Sequence, residues 1–184
     1  MRTAITFMTA MALGFMGAGC MGRIFSEGMG AATGASGRVV GNSTVPDLTK
    51  YKSLHVEPIT VAAGSQAPAD MPDMAQADFE AAARFRGLTA DGEPRLKFTG
   101  EIIHYESSSM VDTAIGPLAE VIVRAKLIDA GSGRVIAEAN LVGRSKASDS
   151  SGAKHLSGGL GKALGKWLDS GGLKKQKAGD KEEE

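Results

Sequence analysis

Cysteine is nearly absent from this chain. Cys20 is the single cysteine among 184 residues, so no disulfide can form within one copy and stability has to come from packing. The spacings C-x-x-C, H-E-x-x-H and H-x-x-x-H, which are common signatures of metal sites, do not occur in the sequence either. His55, His104 and His155 are widely separated. We interpret them as structural or surface residues and predict neither a metal nor a cofactor.

Aromatic residues and net charge are also in short supply. Aromatics make up 5% of the chain, and Trp167 is its single tryptophan. Base-stacking platforms and aromatic carbohydrate clefts are therefore poorly supported. Lysine plus arginine total 21, as do aspartate plus glutamate, so the formal net charge is zero. Nucleic-acid binding needs a clustered cationic surface, and we predict no nucleic-acid partner.

The motifs of common enzyme chemistry are missing too. There is no G-x-S-x-G, and Ser107–Ser109 have no identifiable base. A G-x-G-x-x-G pattern starts at Gly17, but it lacks the preceding strand and following helix that dinucleotide binding requires. We predict no catalytic residue and conclude that the protein is not an enzyme.

The arrangement of the carboxylates also gives no indication of catalysis. Glu101 lies on a predicted strand and Glu106 directly follows it, at an odd separation, so we expect them on opposite faces, where they cannot act as a pair. Asp112 and Glu120 could approach each other through a loop, but solvated carboxylates are the simpler interpretation. Asp129 sits in a turn sequence, and we expect it to stabilise that turn.

What the sequence does have at its start is the pattern of a secretory signal peptide. Residues 1–19 combine one positive charge at Arg2, an uncharged apolar stretch and small residues before Cys20. A transmembrane helix needs about 20 predominantly apolar residues, usually with stronger hydrophobes than those here. Small residues before a lone cysteine resemble the lipobox of bacterial lipoproteins, although Gly17 occupies a position that usually holds leucine.

That resemblance implies lipidation of Cys20. The thiol would receive a diacylglyceryl group, cleavage would free its amine, and a fatty acid such as palmitate would acylate that amine. Two or three acyl chains anchor a protein stably, whereas one gives reversible binding. In enterobacterial lipoproteins an aspartate after the cysteine favours the inner membrane. Met21 stands there instead, so we expect the outer membrane, facing the periplasm. An ordinary signal peptide cut nearby is the alternative.

The rest of the chain divides by composition. Residues 20–46 are rich in glycine and serine, and we predict a lipidated N-terminus followed by a flexible tether. Residues 47–170 are long enough for one domain. Residues 171–184 carry mixed charges, and we predict a disordered tail there.

Hydrophobic periodicity predicts the elements of that domain. Alternation over Tyr51–Val61 indicates a strand that Pro58 weakens in its second half. Three further strands are predicted over residues 95–105, 119–129 and 135–144, and the turn sequence Asp129–Arg134 joins the last two into a hairpin. In the first of the three, we expect one face to contain Leu96, Phe98, Gly100, Ile102 and His104.

Two helices complete the pattern. The first spans Met71–Arg86, with Asp70 as its N-cap and Gly87 after its end. The second follows residue 153 and contains four glycines, each costing up to about 1 kcal/mol relative to alanine. Such a helix is marginal alone and has to dock, although lysines beside its apolar stripe leave a membrane-surface position as an alternative.

The element order β-α-β-β-β-α predicts an α+β fold. We expect a mainly antiparallel sheet of about four strands, with two helices packed on one of its faces.

Two segments carry a family resemblance. LKFTGEI (Leu96–Ile102) and VIVRAKLIDAGSGRVIA (Val121–Ala137) are similar to strands of bacterial envelope lipoproteins of the domain of unknown function 4410 family. The glycine-rich run that often precedes the hairpin is represented here by Gly116. The hairpin motif also resembles the curli-secretion lipoprotein and auxiliary lipoproteins of transport systems. The resemblance implies an α+β fold and an envelope location, and it supplies no activity.

The sequence therefore predicts a lipid-anchored cell-envelope protein held at the membrane by Cys20. Its domain would bind an envelope protein partner or self-associate, without catalysis. The alternative is an auxiliary lipoprotein subunit of an envelope transport or secretion complex. A hydrolase that uses dispersed carboxylates is a third possibility.

Overall fold

Six strands and two helices form the part of the chain that the computed structural model describes, residues 35–41, 45–107, 119–145 and 152–176. The predicted signal peptide and Cys20 lie outside these ranges. The elements are β1 (Ala35–Val40), β2 (Ser53–Val56), β3 (Thr60–Val61), α1 (Met71–Arg84), β4 (Arg95–Glu106), β5 (Glu120–Asp129), β6 (Val135–Ser145) and α2 (Ala153–Ser170). The α+β class agrees with the prediction.

The sheet is mixed and larger than predicted. Its strand order is β1-β6-β5-β4-β2, and β3 also pairs with β4. The pairs β1/β6, β6/β5 and β5/β4 are antiparallel, whereas β2 and β3 run parallel to β4. A helical crossover through α1 connects β2 to β4, and such crossovers join parallel strands. The prediction of a mainly antiparallel sheet of about four strands agrees in part. The described residues form six strands, because β1 was not expected and the first predicted strand is split in two around Pro58.

Strand β1 lies within residues 20–46, which the sequence analysis assigned to the tether. Its glycine serves close packing instead of flexibility. A Cβ atom added at Gly37 would lie 2.2 Å from the carbonyl oxygen of Gly159 and 2.4 Å from the backbone nitrogen of Ala163. The backbone of α2 thus rests directly on β1, so the folded part begins earlier than predicted.

The folded part also ends later than predicted. Leu173 is 9% exposed and belongs to the core, and its N–H donates to the Leu168 carbonyl at 3.1 Å. The N–H of Gln176 donates to the Phe85 carbonyl at 2.9 Å. Residues 171–176 therefore pack against the domain, whereas the sequence analysis placed them in the tail; residues 177–184 lie outside the described part.

The core lies between one face of the sheet and the two helices. In β5, period-two alternation buries the side chains that the sequence pattern selects, which are Val121, Val123, Ala125 and Leu127. From α1, Phe79 meets Phe98 of β4 with 4.8 Å between ring centroids. Helix α2 buries its whole predicted stripe, Leu156, Leu160, Ala163, Leu164, Trp167 and Leu168, at 0% exposure.

Helix α2 is thus a core helix. Its apolar stripe is unavailable to a membrane surface, which answers the alternative left open by the sequence. The glycines explain how closely it docks: a Cβ at Gly159 would lie 2.7 Å from the Ser36 carbonyl oxygen. Among the helices of the described ranges, none is long and apolar enough to cross a membrane.

A β-bulge corrects two assignments on β4. The register between β4 and β5 shifts between Ile102 and His104, and the extra residue reverses the alternation of side chains beyond it. Tyr105 packs against the core, whereas His104, predicted to face it, is exposed. Glu101 and Glu106, expected on opposite faces, consequently lie on the same solvent-facing side.

Candidate functional site

The three histidines do not come together. His55 lies on β2, with its Nε2 3.8 Å from the Glu57 carboxylate. His104 lies on β4, with its Nε2 3.7 Å from the Glu106 carboxylate. His155 lies on α2, and its Nδ1 is buried without a hydrogen-bond partner among the described residues. Within the described ranges, no group of three or more histidine, cysteine, aspartate or glutamate residues could hold a metal ion.

The carboxylates singled out in the sequence have structural roles where they are described. Asp129 accepts hydrogen bonds from the backbone N–H and the hydroxyl of Ser132, at 2.8 and 3.0 Å. It stabilises the β5–β6 turn, as predicted. Glu120 accepts from the Nε of Arg144. Asp112 lies outside the described residues, so its approach to Glu120 stays a prediction.

The face of the sheet opposite the helices carries ion pairs between neighbouring strands. The distances between charged atoms are 3.1 Å for Arg124–Glu101 and 3.3 Å for Lys126–Glu138. Exposed pairs of this kind contribute between about 0.2 and 1 kcal/mol each. They favour the observed strand register and keep the face solvated. Features suited to binding lie at the edges of the sheet instead.

The edge formed by β2 is partly open. The Leu54 N–H donates to the Thr89 carbonyl at 3.1 Å, and the Thr89 N–H donates to the Lys52 carbonyl at 3.0 Å, so residue 89 covers the start of the edge. On the inner side, the Glu57 N–H donates to the Phe98 carbonyl of β4 at 2.9 Å. Since backbone groups alternate along a strand, the Leu54 carbonyl and both backbone groups of Val56 point outward.

A cleft of about 210 Å³ runs along this open edge, between β2, α1 and residues 88–90. We call it the edge cleft. Leu54, Val56, Ala83 and Leu88 supply its apolar lining, and Glu80 adds a carboxylate. That carboxylate lies 3.8 Å from the guanidinium of Arg84 and accepts from the Gln76 amide at 3.1 Å. Outward backbone groups beside an apolar floor suit an extended polypeptide segment.

At the opposite edge of the sheet, formed by β1, lysine side chains cover part of the backbone. The Nζ of Lys162 donates to the Ala35 carbonyl at 2.8 Å, and the Nζ of Lys166 donates to the Gly37 carbonyl at 2.7 Å. These lysines occupy the outward acceptors of the first half of β1. Lysines and covered backbone groups are devices by which proteins prevent unwanted pairing at sheet edges.

Neither edge was predicted from the sequence. Lys162 and Lys166 lie off the apolar stripe of α2, and their i,i+4 spacing is the signal that two side chains point in one direction. Nothing in the local sequence shows which strand they reach, because their acceptors lie more than 120 positions away in the chain. The edge cleft combines residues from 54 to 90 and depends on the parallel pairing of β2.

No family model and no curated protein matches this chain. Solved structures do match. Two crystal forms of PelC from Paraburkholderia phytofirmans, both dodecamers, align with TM-scores of 0.52 at 20% and 19% identity, over 77% of this chain and 99% of that chain. Protein XCC0632 from Xanthomonas campestris, described by the family model DUF330, aligns with a TM-score of 0.45 at 19% identity, over 74% and 91%. At these identities the PelC match shows a shared fold.

Proposed function

We propose that this protein is a lipid-anchored component of the bacterial cell envelope whose α+β domain assembles with protein, foremost with copies of itself, without catalysing a reaction. The observation that carries the proposal is the open β2 edge beside the edge cleft. Val56 and Leu54 present backbone donors and acceptors along an apolar floor. This arrangement recognises an extended chain through its backbone.

The chemistry of the cleft favours binding over catalysis. Glu80 is paired with the Arg84 guanidinium and with the Gln76 amide. A general acid or base needs a proton-transfer partner within hydrogen-bond reach of a substrate, and these contacts instead fix Glu80 as a surface ion pair. The remaining lining is mostly aliphatic.

Self-assembly is supported by the fold comparison. PelC shares this fold over 77% of the present chain and is a dodecamer in both crystal forms. Homo-oligomers of this kind use either the same patch on both copies or two different patches that close a ring. A chain with one open edge and one partly capped edge fits the second arrangement.

Anchoring is supported by the sequence. Cys20 follows a segment with the pattern of a signal peptide and precedes β1 by 15 positions. A fully extended chain of that length reaches at most about 50 Å. Lipid on Cys20 would therefore keep the domain close to the outer membrane while leaving both sheet edges accessible in the periplasm.

Two measurements test the proposal. Intact-mass analysis of the mature protein is expected to show a chain beginning at Cys20 with a diacylglyceryl group and an added acyl chain. Cys20→Ala is expected to move the protein from the membrane fraction to the soluble fraction. An unmodified thiol, or unchanged fractionation of the variant, contradicts the proposal that lipid on Cys20 anchors the protein.

Assembly is tested separately, by light scattering and native mass spectrometry of the mature Cys20→Ala chain. A defined oligomer supports self-assembly. A monomer at every concentration contradicts it. Crosslinking in membranes of the native host, with recovery of transport or secretion subunits in place of further copies of this chain, favours the auxiliary-subunit alternative.

A further inference from the structure

We propose that copies of this chain join edge to edge into one continuous sheet. In this contact, the end of β1 from one copy adds as an antiparallel strand to β2 of the next copy, with Val39 opposite Val56. The inference rests on the self-assembly in the proposed function and names the surfaces that perform it.

The receiving surface is the open part of the β2 edge. The outward Val56 N–H and carbonyl and the outward Leu54 carbonyl have no hydrogen-bond partner within the described ranges. The edge cleft of about 210 Å³ lies beside these groups, between β2 and α1. Backbone groups that remain unpaired at a strand edge pair readily with another chain.

The incoming surface is the end of β1. The Ala35 and Gly37 carbonyls point away from β6, since the two lysines of α2 reach them. Alternation therefore directs the N–H and carbonyl of Val39, and the N–H of Gly41, to the same outward side. Among the described residues these groups have no partner, so the part of β1 that the lysines leave uncovered is short.

The two short open segments match in one register. With Val39 opposite Val56, each N–H donates to the other residue's carbonyl, and the Gly41 N–H donates to the Leu54 carbonyl. The next pair in this register is Gly37 opposite Pro58. Pro58 has no N–H, and the Gly37 carbonyl already accepts from Lys166. Pro58 therefore offers no donor to the Gly37 carbonyl, and that carbonyl needs none. No hydrogen bond is lost at this end of the contact.

Strand direction supports the same arrangement. Three antiparallel pairings separate β1 from β4, and β2 is parallel to β4, so β1 and β2 of one copy run in opposite directions. Two copies with the same orientation therefore meet with antiparallel strands at their edges. Contacts between two different patches form a ring when the rotation between copies closes, and an open filament when it does not.

Charged side chains lie beside both edges. Lys166 of α2 lies above β1, where its Nζ reaches the Gly37 carbonyl. Glu80 and Arg84 of α1 line the edge cleft as an ion pair. Edge pairing brings α2 of one copy towards α1 of the next, so Lys166 approaches the Glu80 carboxylate as a second cation beside Arg84.

Disulfide trapping tests the register in the mature chain that carries Cys20→Ala. In the proposed contact, His55 lies directly opposite Val40 of the next copy, on the solvent-facing side. Both residues are exposed in the monomer, with 56% of the His55 side chain and 40% of Val40 accessible. We combine His55→Cys with Val40→Cys and oxidise the protein under dilute conditions.

The two positions cannot join within one copy. Four strand spacings of about 4.8 Å separate β1 from β2, roughly 19 Å in all, whereas a disulfide requires Cα atoms less than about 7 Å apart. The double variant is expected to form a ladder of disulfide-linked multimers on non-reducing gels, with loss of the monomer band, and reduction should restore the monomer. An equal mixture of the two single variants is expected to stop at dimers.

A matched pair controls for random collision. His104→Cys with Val135→Cys places two thiols at similarly exposed positions outside the proposed contact, with 46% of the His104 side chain and 42% of Val135 accessible. This pair is expected to remain monomeric on the gel.

Three results overturn the inference, and they differ in what they say about self-assembly. If light scattering shows an oligomer but the double variant crosslinks no more than the control pair, edge pairing is wrong and self-assembly stands. If His55→Cys alone dimerises as completely as the double variant forms multimers, β2 pairs with β2 in a two-fold contact. If the chain is monomeric throughout, both proposals are wrong.

Discussion

The hydroxyl of Tyr51 donates a hydrogen bond to the Oδ2 of Asp129 at 2.6 Å. This contact joins the segment before β2 to the β5–β6 turn, across 78 positions of sequence. The hydrogen bond from Tyr51, followed by those from Ser132, lowers the pKa of Asp129 to about 2. Burial, followed by the hydrogen bond to Asp129, raises the pKa of Tyr51 to about 12.

The first prediction concerns this pair and pH. An aspartate with a lowered pKa in the folded state stabilises the protein above its unfolded pKa of about 3.9, and that contribution is lost as the pH falls towards 2. Tyr51→Phe removes the main cause of the lowered pKa. We expect its free energy of unfolding to be below wild type at pH 7, with the difference shrinking between about pH 4 and pH 2.

Urea unfolding over this pH range measures the effect. Tyr105→Phe is the control, since Tyr105 is the second of the two tyrosines and makes no described hydrogen bond through its hydroxyl. Its effect is expected to be independent of pH below 7. A Tyr51→Phe difference that stays constant down to pH 2 would contradict the assignment.

The second prediction uses two adjacent glycines of α2. A Cβ at Gly159 would lie 2.9 Å from the Cα of Gly143, whereas nothing lies within 4 Å of a Cβ at Gly158. Gly159→Ala is expected to destabilise the protein by about 1–3 kcal/mol, because backbone on both sides has to shift. Gly158→Ala is expected to stabilise it by up to about 1 kcal/mol, through helix propensity.

Thermal and urea unfolding of the two variants check this prediction. The two substitutions are chemically identical and one position apart, so propensity alone gives them the same sign. Equal effects would show that α2 does not approach β1 and β6 as closely as described.

The third prediction concerns Arg86, which connects the ends of the two helices. Its Nε and Nη2 donate to the two carboxylate oxygens of Asp169 at 2.9 and 3.0 Å, and its Nη1 donates to the Ala82 carbonyl at 3.0 Å. The Arg86 side chain is 11% exposed. A double-mutant cycle with Arg86→Met and Asp169→Asn is expected to give a coupling energy of about 1–2 kcal/mol.

The exposed pair Arg124–Glu101 serves as its comparison. Both side chains are at least 40% exposed, and the bond is a single one at 3.1 Å. The corresponding cycle is expected to give less than about 1 kcal/mol. If the two cycles give the same coupling, burial and two-point geometry do not strengthen the Arg86 contact.

The fourth prediction concerns the lysines above β1. Lys166→Ala uncovers the Gly37 carbonyl and lengthens the open edge, so we expect non-specific association to rise, seen as faster growth of light scattering on gentle heating. Lys154→Ala removes the same charge from the same helix, and Lys154 has no described hydrogen bond to β1. An equal increase in both variants would attribute the effect to net charge.

Local sequence predicted a large part of this fold. The alternation in β4, β5 and β6, the turn at Asp129 and the stripes of both helices follow from burial of one face. Each is a local property, because a strand or helix repeats its inward positions at a fixed period. The α+β class and the docking of α2 could therefore be predicted before any contact was known.

Features that depend on contacts between distant residues could not be predicted in this way. The glycine and serine of β1 are typical of a flexible linker. Their role in packing depends on contact with the backbone of α2, which is distant in the sequence. The bulge between Ile102 and His104 reverses two side-chain assignments without a local signal. The parallel pairing of β2 creates the edge cleft from three separate segments.

The sequence by itself determined most of the inward side chains, the position of the β5–β6 turn and that Cys20 follows a signal-peptide pattern. Only the tertiary structure decided which strands lie at the edges, which backbone groups remain open and where two lysines close them. The physical reason is that burial repeats along the chain with a local period, whereas the pairing of backbone donors and acceptors at an edge depends on which distant segments become neighbours.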